Sequence, residues 1–176
     1  MIQQDLFFNV FAKSKEEHID LCDCPIYFGS NGRRKQDLNA TSDFLCSIPK
    51  NKYTVYKTGG THLLPMYRGR NDFPYIVNNN SGKTLKVSFS RSVYPSYGID
   101  NGIISKRIYS HRIFAMAFIP NELPEDNYNV DHYNEDKLDY SITNLRWLSA
   151  SDNMKNIRGN ASNSSKEYKV YGSRLI

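Results

Sequence analysis

Four residues toward the C-terminal end of the chain have the types and spacing for hydrolytic chemistry: Asp131, His132, Asn144 and Asn153. Asp131 and Asn153 offer a carboxylate and an amide oxygen, hard ligands that suit Mg²⁺ or Mn²⁺ rather than zinc. Such an ion neutralises charge on a phosphate and stabilises a leaving oxygen. His132, with an ordinary pKa of about 6.5, can take a proton from water at neutral pH. An amide on a facing strand, Asn144, can fix the orientation of the imidazole. Asp, His and Asn are also common turn residues, and on residue type alone a hairpin with polar corners is the better reading.

The elements around these residues decide whether they meet. Val130 to Tyr133 reads as one strand and Leu145 to Leu148 as its partner. Ser149 followed by Asp152 resembles a capping box, which predicts a helix over residues 150–158 with Gly159 as its stop. A ββα unit of this kind gathers the end of one strand, the start of its partner and the first helical turn around one spot. Upstream, HRIFAMAFI at 111–119 places Ile113, Ala117 and Phe118 near one helical face. That predicts a helix from Ser110, which can cap it, to Pro120. FPYIVNNNSGKTLKVSFS predicts a strand, a turn at residues 78–82, and a second strand alternating at Leu85, Val87 and Phe89. Asn101-Gly102 is a hairpin turn signal between Tyr97–Ile99 and Ile103–Ile108. Residues 1–60 are harder to read: Asp5 to Lys13 suits a strand or a short helix, and 28–36 a turn.

The chain has 176 residues, 39% hydrophobic and 23% charged, enough for one core and too apolar for wholesale disorder. Its apolar runs are too short to span a bilayer, and MIQQDLFFNVFAKSKEEH has no basic start or small-residue cleavage site, so neither a membrane nor a secretory signal is expected. Three cysteines, an odd number, fit a reducing compartment. His18, Cys22, Cys24 and Cys46 could ligate zinc, but the CxC spacing departs from a zinc knuckle, so buried free cysteines are expected. The net charge is +5, and its distribution says more than its size. Residues 61–118 hold eight basic and two acidic side chains, whereas 119–158 hold four and eight. A basic surface beside a carboxylate cluster suits a protein that grips a polyanion and sets a cation against it, although a solvated basic face explains the charge equally well.

HRIFAMAF, DHYNEDKLDYSITNLRWLS and SDN, taken with their spacing, resemble the module of HNH homing endonucleases encoded in phage group I introns. SGKTLK resembles the DNA-binding strand motif that often precedes it. The resemblance implies that Asp131 and Asn153 hold the metal, that His132 is the general base and that Asn144 positions it. It also implies that Lys83, Lys86, Arg91, Lys106 and Arg107 flank DNA, mostly at phosphates. Arg112, Lys155 and Arg158 complete the expected DNA-facing set, and His111 matches the family with a structural or phosphate role. The departures lie in the hairpin loop: Glu135 stands where relatives have Gly, and Asp139 and Tyr140 where they have Asn. Those acids would repel a phosphate backbone unless they face away. SNSSKEYKVYG is faintly similar to the start of a second DNA-binding module.

The expected fold is α+β: a mixed antiparallel β region followed by a ββα-metal HNH module. The expected segments are 1–60 of unassigned role, a β-rich DNA-binding region at 61–107, the nuclease module at 108–158 and a polar tail at 159–176. The expected activity is Mg²⁺- or Mn²⁺-dependent hydrolysis of double-stranded DNA, with nicking of one strand as one outcome. A module that has lost cleavage and serves binding or assembly is the alternative. An intracellular location follows, the host cytoplasm or nucleus if the chain is viral.

Overall fold

The computed structural model describes residues 17–24, 43–89, 94–122 and 129–155. The readings at Asp5 to Lys13, at 28–36, at Arg91, at Arg158 and Gly159, and in the tail lie outside these residues.

The first sheet is antiparallel, in the order β1 (His18–Asp20), β2 (Tyr53–Gly60), β3 (Phe73–Asn78), β4 (Lys83–Thr84). Period-2 alternation in β2 turns Tyr53 and Val55 inward and leaves Thr54 and Tyr56 half-buried. The β2–β3 register shifts between Tyr56 and Gly60. At that bulge a Cβ on Gly60 would sit 2.7 Å from the Phe73 carbonyl oxygen, so only glycine fits. The expected turn at 78–82 is present, with Gly82 at φ +65°, but the strand after it is only two residues long. Because β1 and β2 belong to this sheet, its packing runs across position 60 rather than stopping there.

β5 (Ser96–Asp100) and β6 (Ser105–Tyr109) form the second hairpin. Its loop is four residues rather than two, with only Gly102 at positive φ, and Asn101 Oδ1 accepts from the amides of Ile103 and Ile104. Helix α1 (Ser110–Phe118) follows directly and is buried along Ile113, Phe114, Ala115 and Met116. Tyr109, not Ser110, occupies the N-cap, and the Ser110 hydroxyl is buried inside the first turn. The expected cap fails because β6 runs straight into the helix, leaving no extended residue at position 110. At the other end the Trp147 indole N–H donates to the Ile119 carbonyl (2.9 Å).

β7 (Asn129–His132) and β8 (Leu145–Leu148) pair antiparallel within a residue of the expected bounds. The Ser149 hydroxyl accepts from the Asp152 amide (3.0 Å), and residues 150–155 are helical, as the capping box predicts. The architecture is therefore α+β, with a four-stranded sheet, two hairpins and α1 around one core. Tyr140 joins the parts: fully buried, it lies against Phe73 of the sheet (5.1 Å between ring centroids) and Phe114 of α1 (5.7 Å). Burying such a ring is worth about 2 kcal/mol. No helix among the described residues is long and apolar enough to cross a membrane.

Candidate active site

Antiparallel pairing of β7 with β8 sets Asp131 opposite Arg146 and His132 opposite Leu145. Strand alternation turns His132 inward and leaves Asp131 on the half-exposed side. The Asp131 carboxylate is held by Arg146, whose Nε and Nη2 both reach Oδ2, at 2.8 and 2.7 Å. The Arg146 guanidinium in turn lies over the Tyr133 ring at 4.4 Å.

His132 is buried beneath aromatic neighbours. The His111 ring meets it edge-on at 5.3 Å, and Tyr94 lies nearly parallel at 5.9 Å. Its Nε2 is buried and makes no hydrogen bond, and neither does Nδ1 of His111. Burial pushes the His132 pKa below the ordinary histidine value, against the pull of Asp131, Asp136 and Asp139. Burial, with His132 and Arg112 nearby, takes His111 down to about 3. Both rings are therefore neutral at pH 7, the state a general base at position 132 requires.

Asn144 is also buried, but its side chain serves the loop rather than the imidazole. Nδ2 donates to Asn134 Oδ1 and to the Asp139 carbonyl (both 2.8 Å), and Oδ1 accepts from the Asn134 amide (3.0 Å). All of these bonds are spent on residues 134 and 139, so the expected direct contact with His132 is replaced by control of the loop that follows it. The reason is loop length: twelve residues separate the paired strand ends, and an internal amide must satisfy their backbone. Asn153 lies half-buried in the first turn of the terminal helix, its backbone N–H donating to the Ser149 carbonyl (3.0 Å).

The loop departures have a structural answer. Glu135 adopts φ +62°, the left-handed conformation that glycine occupies without strain, so the backbone turn is kept and the side chain changed. Asp139 and Asp136 face the connection between β2 and β3. Asp139 is buried and pairs with Arg70 (2.9 Å), while the Ser141 hydroxyl (2.6 Å) and Asn134 Nδ2 (3.2 Å) donate to it. Burial raises its pKa, but Arg70 and Ser141 outweigh that and hold it below the ordinary carboxylate value. The Tyr67 hydroxyl donates to Asp136, and His62 Nε2 meets the Leu138 carbonyl at 3.1 Å. His62, Tyr67 and Arg70 thus clamp the loop from the sheet side. No spacing rule reveals them, since each lies about seventy residues from its partner. Arg146 was legible in principle, because the hairpin register alone sets it opposite Asp131.

The basic residues divide. Lys83 and Lys86 are exposed at and just after β4. Arg107 is exposed and donates to the Ser88 hydroxyl (3.1 Å). Lys106 lies over the Phe44 ring (5.3 Å), Arg112 over Trp147 (5.8 Å), and Lys155 pairs with Asp152 (3.0 Å). The zinc set is not assembled: among the described residues Asp20, Cys22 and Asp23 stand together without His18 or Cys46. All three cysteines are free, and only Cys24 is buried. The donors at the β7–β8 site fit a hard divalent cation better. They are the half-exposed Asp131 carboxylate and, in the next residue, an imidazole whose buried Nε2 has no hydrogen-bond partner; Asn153 offers an amide oxygen from the terminal helix.

Residues 109–155 match the family model of HNH endonucleases. A stretch of 84 residues, 48% of this chain, is 33% identical to an uncharacterised HNH endonuclease of Acanthamoeba polyphaga mimivirus and covers 21% of it. A stretch of 81 residues, 46% of this chain, is 36% identical to the DNA endonuclease I-HmuI of Bacillus phage SP01 and covers 45% of it. The solved structure of DNA binding and cleavage by the HNH homing endonuclease I-HmuI aligns with 64% of this chain and 55% of that one, at 27% identity and a TM-score of 0.49. The matched stretch thus spans less than half the length of these curated relatives. Residues 109–155, which hold the hairpin, its inward histidine and its paired carboxylate, thus match the HNH endonuclease model and are similar to stretches of viral and phage HNH endonucleases.

Proposed function

We propose that the chain is a metal-dependent endonuclease that hydrolyses phosphodiester bonds in double-stranded DNA, whether by nicking or by a double-strand cut. The observation that carries this reading is the buried, neutral His132 with an unpartnered Nε2, one residue from Asp131, inside a stretch matching the HNH endonuclease family.

In this mechanism Asp131 and Asn153 would hold Mg²⁺ or Mn²⁺. When bound, the ion supplies charge neutralisation at the phosphate and stabilises the leaving oxygen. Tyr94 and His111 exclude bulk water from His132 and keep its ring neutral. His132 Nε2 accepts the proton of the attacking water. Asn144 holds residues 134 and 139, and so the exit of β7, in one arrangement. Lys83, Lys86 and Arg107 approach the backbone from the sheet side, with Lys106, Arg112, Lys155, Arg91 and Arg158 as further phosphate contacts. This gives the sheet region the DNA-binding role and residues 108–158 the catalytic one.

The guanidinium on Asp131 favours a second reading, a binding module whose cation site is filled by Arg146. Supercoiled plasmid incubated with Mn²⁺ or with EDTA separates the two. The enzyme yields nicked or linear product only with the ion, and His132→Ala lowers the rate about 10²-fold with DNA affinity kept. Equal rates in wild type and variant would remove His132 from the mechanism. Absence of any product beside full DNA binding in EDTA would leave the binding module.

A further inference from the structure

The two carboxylates of the β7–β8 unit that are drawn into ion pairs, Asp131 and Asp139, take their arginines from different places. Asp139 is buried and paired with Arg70 from the connection between β2 and β3. Asp131 is paired from within its own hairpin, by a residue directly across the ladder. The Asp131 pair is also the weaker design. Both guanidinium nitrogens fall on one oxygen, Oδ2, rather than one on each, so the fork does not match the carboxylate edge. The Arg146 side chain is 34% exposed and its plane rests on Tyr133, itself 58% exposed, so the arginine can leave without opening the core.

Under the proposed mechanism Asp131 must give its oxygens to a dication. A guanidinium bound to Oδ2 and a divalent ion on the same carboxylate repel each other at close range. The two therefore compete, and the loser needs another anion. A backbone phosphate is the better partner for a planar guanidinium, which it can meet with two parallel hydrogen bonds.

We propose that Arg146 is a phosphate-binding residue of the site, kept on Asp131 in the DNA-free protein and transferred to a DNA backbone phosphate when the cation takes Asp131. The exchange conserves charge pairs. Asp131 passes from the guanidinium to the cation, and Arg146 passes from the carboxylate to the phosphate. Cation affinity and DNA affinity are then coupled, and each raises the other. The proposal rests on Asp131 being a cation ligand, and it adds that the free protein suppresses loading until DNA is present.

The test is calorimetric titration of the full chain with Mn²⁺, alone and with a phosphorothioate duplex that resists cleavage. Wild type, Arg146→Met, Tyr133→Ala and Asp131→Asn are compared, each checked for its melting transition. Without DNA, Arg146→Met is expected to bind Mn²⁺ about tenfold more tightly than wild type, since a repelling charge is gone. Tyr133→Ala, which removes only the resting surface of the guanidinium, should gain about threefold and keeps the test open if the first variant fails to fold. With DNA present the gain of Arg146→Met should shrink to about twofold or less, because wild-type Arg146 has already moved. The slope of log K for DNA against log salt should fall by about one in Arg146→Met. Mn²⁺ affinities equal to wild type in both variants without DNA, or an unchanged salt slope, would overturn the transfer. If Asp131→Asn weakens Mn²⁺ binding while the Arg146 and Tyr133 variants show no gain, only the transfer fails. If Asp131→Asn binds Mn²⁺ as wild type does in the presence of DNA, Asp131 is not a ligand and both readings fall.

Discussion

The β5–β6 and β7–β8 hairpins both pack against α1, yet they close by different means. The first turns over four residues, with Asn101 Oδ1 satisfying two amides locally and Ile103 left 90% exposed at the tip. The second carries twelve residues between its paired ends and buries Tyr140, Ser141, Asp139 and Asn144 within them. Its loop is shaped from outside, by Arg70 on Asp139, Tyr67 on Asp136 and His62 on the Leu138 carbonyl. A hairpin that needs only to turn the chain uses its own turn residues. One whose loop buries polar side chains borrows rigidity from elsewhere in the fold, here the connection between β2 and β3.

The clamp is the place to break this contrast. Arg70→Met leaves the Asp139 carboxylate, with a side chain only 7% exposed, without its cation. Because Arg70 is itself about one-third exposed, we expect a loss of about 2–3 kcal/mol rather than the full cost of a buried orphan charge, together with slower DNA cleavage. Denaturant unfolding of wild type and variant checks it; a change below about 0.5 kcal/mol would mean that the loop shapes itself.

The buried rings give the second test. The folded-state pKa values of His62, His111 and His132 all lie below the ordinary value, chiefly through burial. The unfolded chain therefore binds more protons below about pH 6.5, and stability falls with pH from there toward the folded values. For His111 that window extends down to about pH 3. His111→Phe should reduce the slope of stability against pH by about 1.4 kcal/mol per unit between about pH 6 and 4. Melting temperatures across that range measure it, and an acid limb as steep as wild type would mean that His111 is not buried as a neutral ring.

Two smaller substitutions sharpen the contrast from the local side. Gly102 has φ +96°, and a Cβ at this position would meet only open space. Gly102→Ala therefore costs about 1 kcal/mol through the backbone alone and leaves cleavage unchanged. Loss of cleavage there would tie the first hairpin to the site. Glu135 at φ +62° makes the reverse case: Glu135→Gly should raise stability by about 0.5 kcal/mol, partial relief because glycine also loses more entropy on folding. A drop in stability would show that the Glu135 side chain contributes more than its strained backbone costs.

Local physics made most of the secondary structure readable. The 3.6-residue pattern of HRIFAMAF, the capping pair Ser149 and Asp152, the turn at 78–82 and the bounds of β7 and β8 all depend on residues within a few positions of one another. The resemblance carried by Asp131, His132, Asn144 and Asn153 depends on spacing, and so it too was available from the chain alone. The readings that changed depend on contacts no spacing encodes. Ser110 lost its capping role because β6 enters the helix without a break. Asn144 turned to residues 134 and 139 because twelve loop residues needed an internal amide.

By itself, then, the amino-acid order determined that an α+β chain carries an HNH hairpin with a histidine and a carboxylate side by side. Only the tertiary structure decided how the loop acids are used: Asp136 and Asp139 point to Tyr67 and Arg70 in the connection between β2 and β3, about seventy residues away, and Asp131 to Arg146. The physical reason is that a carboxylate's role is set by which cation or donor is nearest in a low-dielectric interior. That neighbour is chosen by the packing of whole elements, not by the residues beside it in the chain.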